Sequence, residues 1–528
     1  MLAIQAVNGA TSKYAFSADW GNTTIGTHPL YRLGKEFASR VIVEPGTRNI
    51  YVVGNRNTQP SEESNSPGGA SANHYAQRAF IVKFNQQGDV LWQRELNKDG
   101  MKNDPSTGNT WRRYSRFDSV CINSLTGDVY AVGYTSAQYQ DGYNWSRLSG
   151  DCLVAKYNSS GTLQYQKFYG RDKTDAGIGV EWFPLEEYYG SCFPLSDGRF
   201  VASGQTANHP GTNSYVSTGN RNNNTMLSCW NSNGTTSWSK WISVGATQNI
   251  DFTDVNSTQG TLGGVDSSDN IYFLVNSTGI PGGTVGSFII KFNSSGSRVW
   301  QKEIQRIFTN PQLNNSLTSW EKLTVSKNGD MYLSSYRGSG NDNGIVKLNS
   351  NAVVQWVKSF NGTGNQIHSM QVDDDQNLWF YDSTSGEAHC IDSNGTPIRN
   401  VEITTNSGGG FYRGFTVNEG YITMITGGKK IGRNTSNSNE HNLGVLRAEI
   451  SGVNNGAFTH TNSDGSTLTV TVSTPSTGSV TNHSNPSISN SSNPSVINYA
   501  GNTAVRNNNG TATNFTNSTV FHSKTLTV

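Results

Sequence analysis

Carboxylate side chains stand close together at two places in the chain, and such groups could perform acid–base catalysis or bind a cation. Glu181, Glu186 and Glu187 lie in the stretch EWFPLEEYY, and paired carboxylates can hydrolyse glycosidic bonds. The run Asp373–Asp375 could contribute to a calcium site, although calcium loops use a longer alternating acidic pattern with a glycine. The glutamates are more simply explained as solvated loop residues, and the aspartate run as a plain turn. We therefore predict no catalytic residue.

The cysteines and histidines show no spacing that suits a metal site or redox chemistry. The nine histidines are scattered. The cysteines stand singly inside apparent strands, where a thiol behaves as a small buried apolar group: Cys121, Cys152, Cys192, Cys229 and Cys390. We predict no metal ion and no cofactor.

Aromatic residues in polar insertions are the candidate ligand or interface residues. They are Trp111, Tyr114, Tyr139, Tyr143, Trp145, Trp182, Tyr188 and Tyr189. Aromatic side chains in polar loops can anchor a protein interface or stack on sugars. The alternative, which the residue types favour, is that they pack long loops onto the body of the protein.

The composition limits the architecture, the partners and the compartment. Hydrophobic residues make up 34% of 528 residues, which suits short strands with many turns better than long helices. The formal net charge is +1 and no basic stripe is present, so nucleic acid is not an expected partner. We see no signal peptide and no membrane span, and expect synthesis in a host cytoplasm without membrane insertion.

One half of an internal repeat reads as strand, tight turn, then a strand ending in small residues, as in SVCINSLTGDVYAVGYT (119–135). The turn holds a pair such as Gly-Asp or Asp-Gly, which tolerates the positive φ that tight hairpins need. An aromatic or large apolar residue follows the turn in every copy: Tyr51, Tyr130, Phe200, Tyr272, Tyr332, Trp379 and Ile422.

The other half of the repeat reads FIVKFNQQGDVLWQREL (80–96) and has an Asn seven residues before an aromatic. Five copies keep this spacing: Asn85/Trp92, Asn158/Tyr165, Asn231/Trp238, Asn293/Trp300 and Asn349/Trp356. A sixth has Asp392 and Arg399 at these places, and a seventh, LGVLRAEI (443–450), keeps one strand. We expect Asn and Gly to close the turn and the aromatic to pack between neighbouring sheets.

Two hairpins per unit make a four-stranded antiparallel sheet, and seven such units predict an all-β, seven-bladed β-propeller over 39–450. Blade seven lacks a fourth strand, and we predict that Lys13–Trp20 in the N-terminal segment 1–38 supplies it. The pattern D/N-G-x-aromatic-x-x-G, then aliphatic-x-K-aromatic-N-x-x-G-x-x-x-W, resembles the bacterial seven-bladed propeller repeat family and the blades of quinoprotein-like propellers. The latter likeness implies a quinone cofactor, but the sequence has neither a vicinal cysteine pair nor a C-x-x-C-H motif.

Long insertions are expected on one face of the disc, because they follow the second or fourth strand of a blade. They are 56–78, 97–116, 136–150, 171–189, 206–224 and 305–320. Loops on a rigid scaffold commonly carry binding residues. The segment 451–528 is almost entirely Asn, Ser, Thr, Gly and small apolar residues. It predicts either an extended arm over adjacent subunits or, slightly favoured, a small polar β-region making assembly contacts.

In overall style the chain is similar to virion proteins of tailed bacteriophages, such as tail fibre or baseplate components. That likeness implies a non-enzymatic structural or binding part that contacts other virion proteins, copies of itself, and a host-surface glycan or receptor. A carbohydrate-active enzyme is one alternative, and it would need two carboxylates roughly 5–10 Å apart in one cleft. A bacterial surface adhesin is the other, and it would need an export route.

Overall fold

The computed structural model describes the strands of the chain and the tight turns that join many of them. The described residues are 15–20, 36–57, 77–97, 115–137, 149–171, 187–206, 224–243, 249–251, 263–278, 286–304, 309–310, 316–317, 320–335, 342–361, 367–382, 387–405, 412–426, 443–450, 456–461, 467–473, 480–482, 488–490, 495–498, 503–507, 511–513 and 521–522. No helix within them is long and apolar enough to span a membrane.

The chain forms seven antiparallel blades in sequence order, which confirms the predicted all-β, seven-bladed propeller. The N-terminal strand is β1 (Ala15–Trp20). Blade one holds β2 (Glu36–Val43), β3 (Ile50–Asn57), β4 (Gln77–Phe84) and β5 (Val90–Asn97); blade two holds β6 (Ser115–Ile122), β7 (Val129–Ala137), β8 (Ser149–Tyr157) and β9 (Leu163–Arg171). Blade three holds β10 (Glu187–Pro194), β11 (Phe200–Thr206), β12 (Asn224–Trp230) and β13 (Thr236–Ser243).

Blade four has its first strand in two pieces, β14 (Asn249–Asp251) and β15 (Gly263–Val265), followed by β16 (Ile271–Thr278), β17 (Gly286–Phe292) and β18 (Arg298–Ile304). The small ladder β19 (Thr309–Asn310) and β20 (Ser316–Leu317) follows. Blade five holds β21 (Trp320–Val325), β22 (Met331–Ser335), β23 (Asp342–Leu348) and β24 (Val354–Asn361). Blade six holds β25 (Ile367–Val372), β26 (Leu378–Asp382), β27 (Glu387–Ile391) and β28 (Pro397–Thr405), and blade seven β29 (Tyr412–Asn418), β30 (Tyr421–Thr426) and β31 (Leu443–Glu449).

The fourth strand of blade seven comes from the other end of the chain. β1 pairs antiparallel with β31 over its whole length, from Ala15↔Ala448 to Trp20↔Leu443. This is the place that the sequence assigned to Lys13–Trp20, and the observed strand begins at Ala15. Joining the first strand to the last blade closes the ring and removes an open edge.

The C-terminal strands form a second layer around the ring, which we call the belt. They are β32 (Gly456–Thr461), β33 (Thr467–Ser473), β34 (Val480–Asn482), β35 (Ile488–Asn490), β36 (Ser495–Asn498), β37 (Thr503–Asn507), β38 (Thr511–Thr513) and β39 (Phe521–His522). β33 to β39 extend blades six, five, four, three, two, one and seven in that order, each as a fifth strand antiparallel to the fourth. The chain therefore travels the ring once forward and once backward.

The belt is the polar C-terminal β-region that the sequence predicted, but its strands join the blades instead of one sheet of their own. Its strands pair with seven different blades, and β32 with β33 is the one pair that they form among themselves in the described part of the chain. A short polar strand cannot bury enough apolar surface to form an independent sheet. The open backbone edge of each fourth strand offers it hydrogen bonds instead.

The core lies between the blades. Seven clusters of buried apolar residues each join two consecutive blades, and one of them joins blade seven to blade one. In that cluster Ile425 and Val445 of blade seven pack with Val52 and Phe80 of blade one. The seven interfaces close the ring by burial as well as by strand pairing.

A β-bulge in the first strand explains why the second strand ends in small residues. In blade two the register shifts between Phe117 and Ser119, opposite Gly133. A Cβ on Gly133 would lie 2.1 Å from the backbone oxygen of Arg116, and the equivalent distances at Gly54 and Gly204 are 1.8 and 1.7 Å. Any side chain there would force the two strands apart.

Candidate functional site

The tight turns between strands one and two, and in blades one to six those between strands three and four, lie at the same end of each blade, here called the turn face. The opposite end is the loop face. In the 3–4 turn of blade one, the Asn85 side-chain oxygen accepts hydrogen bonds from the backbone N–H groups of Gln87 (2.9 Å) and Asp89 (2.8 Å). Equivalent bonds are accepted by the side chains of Asn158, Asn293, Asn349 and Asp392. In blade three, Asn233 accepts the backbone bond in place of Asn231. The repeated Asn is therefore a turn-closing residue.

Three of the tryptophan anchors, in blades one, three and five, contact the following blade in the same way. The indole N–H groups of Trp92, Trp238 and Trp356 each donate to the backbone oxygen of a serine in the next 3–4 turn, at 3.0 Å. The turn glycine lies under the ring, so a Cβ on Gly161 would be 2.6 Å from Trp92. Close packing and a hydrogen bond together join the neighbouring turns.

Trp300, the anchor of blade four, packs as the repeat predicts but lacks the hydrogen bond of the other three tryptophan anchors. Its indole Nε1 is buried and has no hydrogen-bond partner among the described residues. The next 3–4 turn has Ala352, with a φ of 59°, where the other 3–4 turns have glycine. The methyl group of Ala352 takes up the space that, in the turn of blade two, the indole of Trp92 fills over Gly161. Trp300 still packs between blades four and five and lies 6.2 Å, centroid to centroid, from Tyr272. The packing role is therefore kept, and the hydrogen bond is lost.

Tyr165 and Arg399 hold the anchor position in blades two and six. The hydroxyl of Tyr165 is buried without a hydrogen-bond partner in the described part of the chain. Its ring packs on the next turn, where a Cβ on Gly234 would lie 3.1 Å from it. Arg399 donates to the backbone oxygen of Ile450 at 2.5 Å. Both residues thus keep a contact with the following blade.

A buried lysine completes the turn face in several blades. Lys83 lies 3.3 Å from a carboxylate oxygen of Glu44 and over the ring of Tyr51, with its Nζ 4.9 Å from the centroid. Similar Lys–carboxylate–Tyr groups occur in blades two, four and five. These charges serve contacts within the ring.

Asp373, considered above for calcium, closes a turn. One of its oxygens accepts from the backbone N–H of Asn377 (2.8 Å) and the other from the indole N–H of Trp379 (2.9 Å). Its neighbour Asp374 pairs with Lys327 at 2.7 Å on the surface. No three His, Cys, Asp or Glu side chains among the described residues are placed to hold a metal ion. All five cysteines are buried.

The loop-face end of the cleft between blades two and three carries a partly buried cation between two aromatic rings. The Arg116 guanidinium lies 5.4 Å from the ring centroid of Tyr134 and 5.7 Å from that of Tyr188. Its Nε is 3.0 Å from the carboxylate of Asp118, and 35% of its side chain remains exposed. We call Arg116, Tyr134 and Tyr188 the Arg–Tyr cluster.

The β-bulge places the partner of Arg116. Asp118 is the extra residue of the bulge, and it is buried with 5% exposure. Burial raises the pKa of Asp118, while Arg116 acts in the opposite direction. Asp118 in turn raises the pKa of Arg116, so the guanidinium stays charged. The bulge therefore orients an arginine at the mouth of an inter-blade cleft.

Blade one carries a second arginine group at its loop-face end. Glu95 is buried, with 1% of its side chain exposed, and contacts both Arg56 and Arg78, the latter at 2.7 Å. Arg56 is also buried, whereas Arg78 has 20% of its side chain exposed. One buried carboxylate thus binds two arginines at this edge of the loop face.

Blade six has three acidic residues near its loop-face end. Asp382, Glu387 and Glu402 are neighbours on three adjacent strands, in the row where blade two has Gly133, Leu153 and Phe168. Burial, followed by the charges of Glu402 and Asp382, raises the pKa of Glu387. We call these three residues the acidic row.

His389 lies beside the acidic row. Its Nδ1 is 3.0 Å from the side-chain oxygen of Asn400, and its Nε2 is 3.5 Å from Glu387. Burial lowers the pKa of His389 to about 4. The imidazole is therefore neutral near pH 7, and Nδ1–H donates to Asn400.

The predicted aromatic site residues divide between described and undescribed parts of the chain. Trp111, Tyr114, Tyr139, Tyr143, Trp145 and Trp182 lie outside the described residues, as do Glu181 and Glu186. Tyr188 and Tyr189 lie in β10, not in a loop. Tyr189 is fully buried beside Trp230, whose indole N–H donates to its hydroxyl at 3.3 Å. Alternation along the strand thus leaves Tyr188 as the candidate and makes Tyr189 a core residue.

Arg116, Tyr134 and the acidic row were missed by sequence reasoning. The candidates were aromatic residues of the predicted insertions, so Arg116 was left out because it is not aromatic and Tyr134 because it lies in a strand, where it is the cross-strand partner of Arg116. The departure of blade six from the repeat, with Glu387 where blade one has Phe80, was a readable signal. Aligning the strands of all blades residue by residue would have shown it.

No protein-family model and no curated protein matches the chain. Solved propeller structures are similar at low identity. Virginiamycin B lyase from Staphylococcus aureus is 11% identical with a TM-score of 0.40, over 82% of this chain and 99% of that one. The WD40 β-propeller domain of Doa1 is 8% identical with a TM-score of 0.38, over 83% and 97%. An acylaminoacyl peptidase is 9% identical with a TM-score of 0.41, over 82% and 57%.

Proposed function

We propose that this chain is a non-enzymatic structural and binding component of a larger assembly, and that its loop face contacts the partner. The Arg–Tyr cluster carries the proposal. It presents an arginine, with 35% of its side chain exposed, between two aromatic rings at the mouth of an inter-blade cleft. Arginine and tyrosine in such settings dominate the binding energy of many protein interfaces.

The surroundings of the cluster support a binding role. Arg116 is held by Asp118 and Tyr134 from its own blade, so little side-chain freedom would be lost on binding. The insertions 97–116 and 171–189 begin or end beside it in the sequence. Pre-organised side chains next to long loops are a common basis of recognition.

The assembly that the composition favours is the virion of a tailed bacteriophage, in its tail, fibre or baseplate. Two features suit such a particle: the Gly/Asn/Ser/Thr-rich all-β body, and a ring closed by both ends of the chain. In this role the protein would contact other virion proteins, copies of itself, and a host-surface glycan or receptor.

The test compares wild-type chain with Arg116→Ala and Tyr188→Ala, using purified tail particles and an array of host-surface glycans. Leu125→Ala is the matched control, because Leu125 is 67% exposed on the turn face. We expect each cluster variant to weaken binding about 10-fold or more, and the control to bind as wild type. Binding unchanged in both cluster variants would refute the cluster's role. Release of shortened glycan products by the wild-type chain would refute the non-enzymatic part.

A further inference from the structure

The belt carries its own repeat of about eight residues. Successive units are SVTNHSNP (479–486), SISNSSNP (487–494), SVINYAGN (495–502), TAVRNNNG (503–510) and TATNFTNS (511–518). A Ser or Thr comes first, a Val, Ile or Ala second, and Asn fourth in all units but one. The strands of these units begin at 480, 488, 495, 503 and 511, and each pairs with a different blade. One unit therefore corresponds to one blade.

The units also share a register against their blades. In blades five, four and three the fourth residue of the unit pairs with the lysine two residues beyond the anchor aromatic. These pairs are Lys358↔Asn482, Lys302↔Asn490 and Lys240↔Asn498. Blade one keeps this register, since Glu95 pairs with Thr513, and blade two is shifted by one residue, with Lys167 opposite Asn507. The outer edges of the blades thus receive equivalent segments in equivalent ways.

Recognition of this kind resembles the addition of a strand to an open sheet edge, in which backbone hydrogen bonds provide the affinity. Each pairing in these five blades is short, from three residue pairs in blade four to five in blade two. The belt acts as a set of linked weak contacts, whose strength depends on the effective concentration set by the links. Every copy of the chain presents the same edges, so a belt can form the same pairings on its own ring or on a neighbouring one.

We propose that the outer blade edges are an interaction surface for the belt of a second copy, and that copies exchange belts when they fold close together. Exchange preserves every strand pairing and changes only which ring a unit joins, which makes it a low-cost route to oligomers. The proposal concerns self-assembly of this chain, and it stands independently of the partner proposed for the loop face.

The experiment places one cysteine on the ring and one on the belt, in separate chains. Glu303 in β18 pairs with Ser489 in β35, and directly paired strand positions have the Cα spacing that a disulfide accepts. A chain with Glu303→Cys and one tag is co-produced with a chain carrying Ser489→Cys and a different tag. After mild thiol oxidation, a covalent product with both tags reports a belt on a foreign ring. Glu303→Cys with Thr481→Cys is the matched control, because Thr481 belongs to the blade-five unit.

We expect a two-tag product well above that of the control pair, and a native mass of two or more chains for the unmodified protein. The double variant Glu303→Cys/Ser489→Cys shows whether the pair closes within one chain. If that double variant cross-links fully but the co-produced single variants give no two-tag product, belts do not exchange and the proposal is wrong. Should the double variant fail to close, native mass decides: a chain that is monomeric at every attainable concentration overturns the proposal.

Discussion

The turn face is built from nearly the same residues in blade after blade, whereas the loop-face ends of the same strands differ. Lys83 with Glu44 and Tyr51 has counterparts in three other blades. At the loop face, blade two presents an arginine between two tyrosines and blade six a row of three carboxylates. Repetition marks the contacts that every blade needs to hold its neighbour. Positions that differ from blade to blade are not needed for these contacts.

The largest effect that separates the two faces should come from an anchor aromatic. Trp92→Ala removes a buried indole that donates to Ser159 and lies 6.2 Å, centroid to centroid, from Tyr157 of the next blade. We expect the free energy of unfolding to fall by about 3–5 kcal/mol, measured by guanidinium denaturation. The adjacent Leu91→Ala is the control, because Leu91 is 51% exposed. Equal losses for the two variants would contradict the structural role of the anchor.

The next effect concerns blade six and depends on pH. The folded pKa of His389 is lowered to about 4 from 6.5, so between those values the unfolded chain binds more protons and stability falls as pH falls. The loss should reach up to about 3 kcal/mol at pH 4. The raised pKa of Glu387 has the opposite effect on stability. As the pH falls toward the ordinary pKa of a glutamate, the folded chain takes up this proton before the unfolded chain does, and the folded state gains stability.

His389→Val introduces the residue that blade five has at this place, Val346, and isolates the histidine contribution. Urea unfolding at pH 7 and pH 4 should show a smaller difference between the two pH values in the variant than in the wild type. If the variant loses as much stability on acidification as the wild type, His389 is not the group that titrates.

An intermediate effect should come from the bulge that orients the Arg–Tyr cluster. Gly133→Ala puts a Cβ against the backbone oxygen of Arg116, at 2.1 Å before any adjustment, and we expect a loss of about 1–3 kcal/mol. Thermal unfolding measures it, and the loop-face binding assay should show a weaker Arg116 contact. Wild-type stability and binding together would mean that the two strands separate there without cost.

The smallest effect should come from the exposed charges of the turn face. Lys327 and Asp374 form a 2.7 Å ion pair with side chains 74% and 59% exposed, and such pairs contribute about 0–1 kcal/mol. Lys327→Ala should therefore leave the urea midpoint nearly unchanged. A loss comparable to that of Trp92→Ala would show that surface charge, not burial, holds neighbouring blades together.

The repeat allowed the ring to be predicted from the sequence, because each of its signals is local. Asn85 and Gly88 close a turn four residues long, and the small residue at Gly54 faces a bulge in the neighbouring strand. The missing strand of blade seven pointed to the N-terminus by simple counting. Tyr188 was predicted to lie in an insertion on the loop face. It lies at the loop-face end of a blade, but in a strand and not in a loop.

Trp300 shows what the repeat leaves undetermined in one of its copies. The spacing Asn293/Trp300 is the same as in the other four copies, yet the indole N–H has no partner among the described residues. The cause lies in the following copy, which has Ala352 where a glycine would let the ring come close. A motif inside one blade therefore predicts the packing of its anchor, whereas the hydrogen bond depends on the neighbouring blade.

The sequence by itself thus determined the number of blades, the order of their strands and the residues that link them. Only the tertiary structure decided where the C-terminal residues go, because a polar segment with strands of two to seven residues has no preferred partner until an open edge is present. It also brought Arg116 between Tyr134 and Tyr188, and Glu387 beside Asp382 and Glu402. These groups combine residues from neighbouring strands or blades, and their proximity follows from strand register and ring closure, which no local pattern encodes.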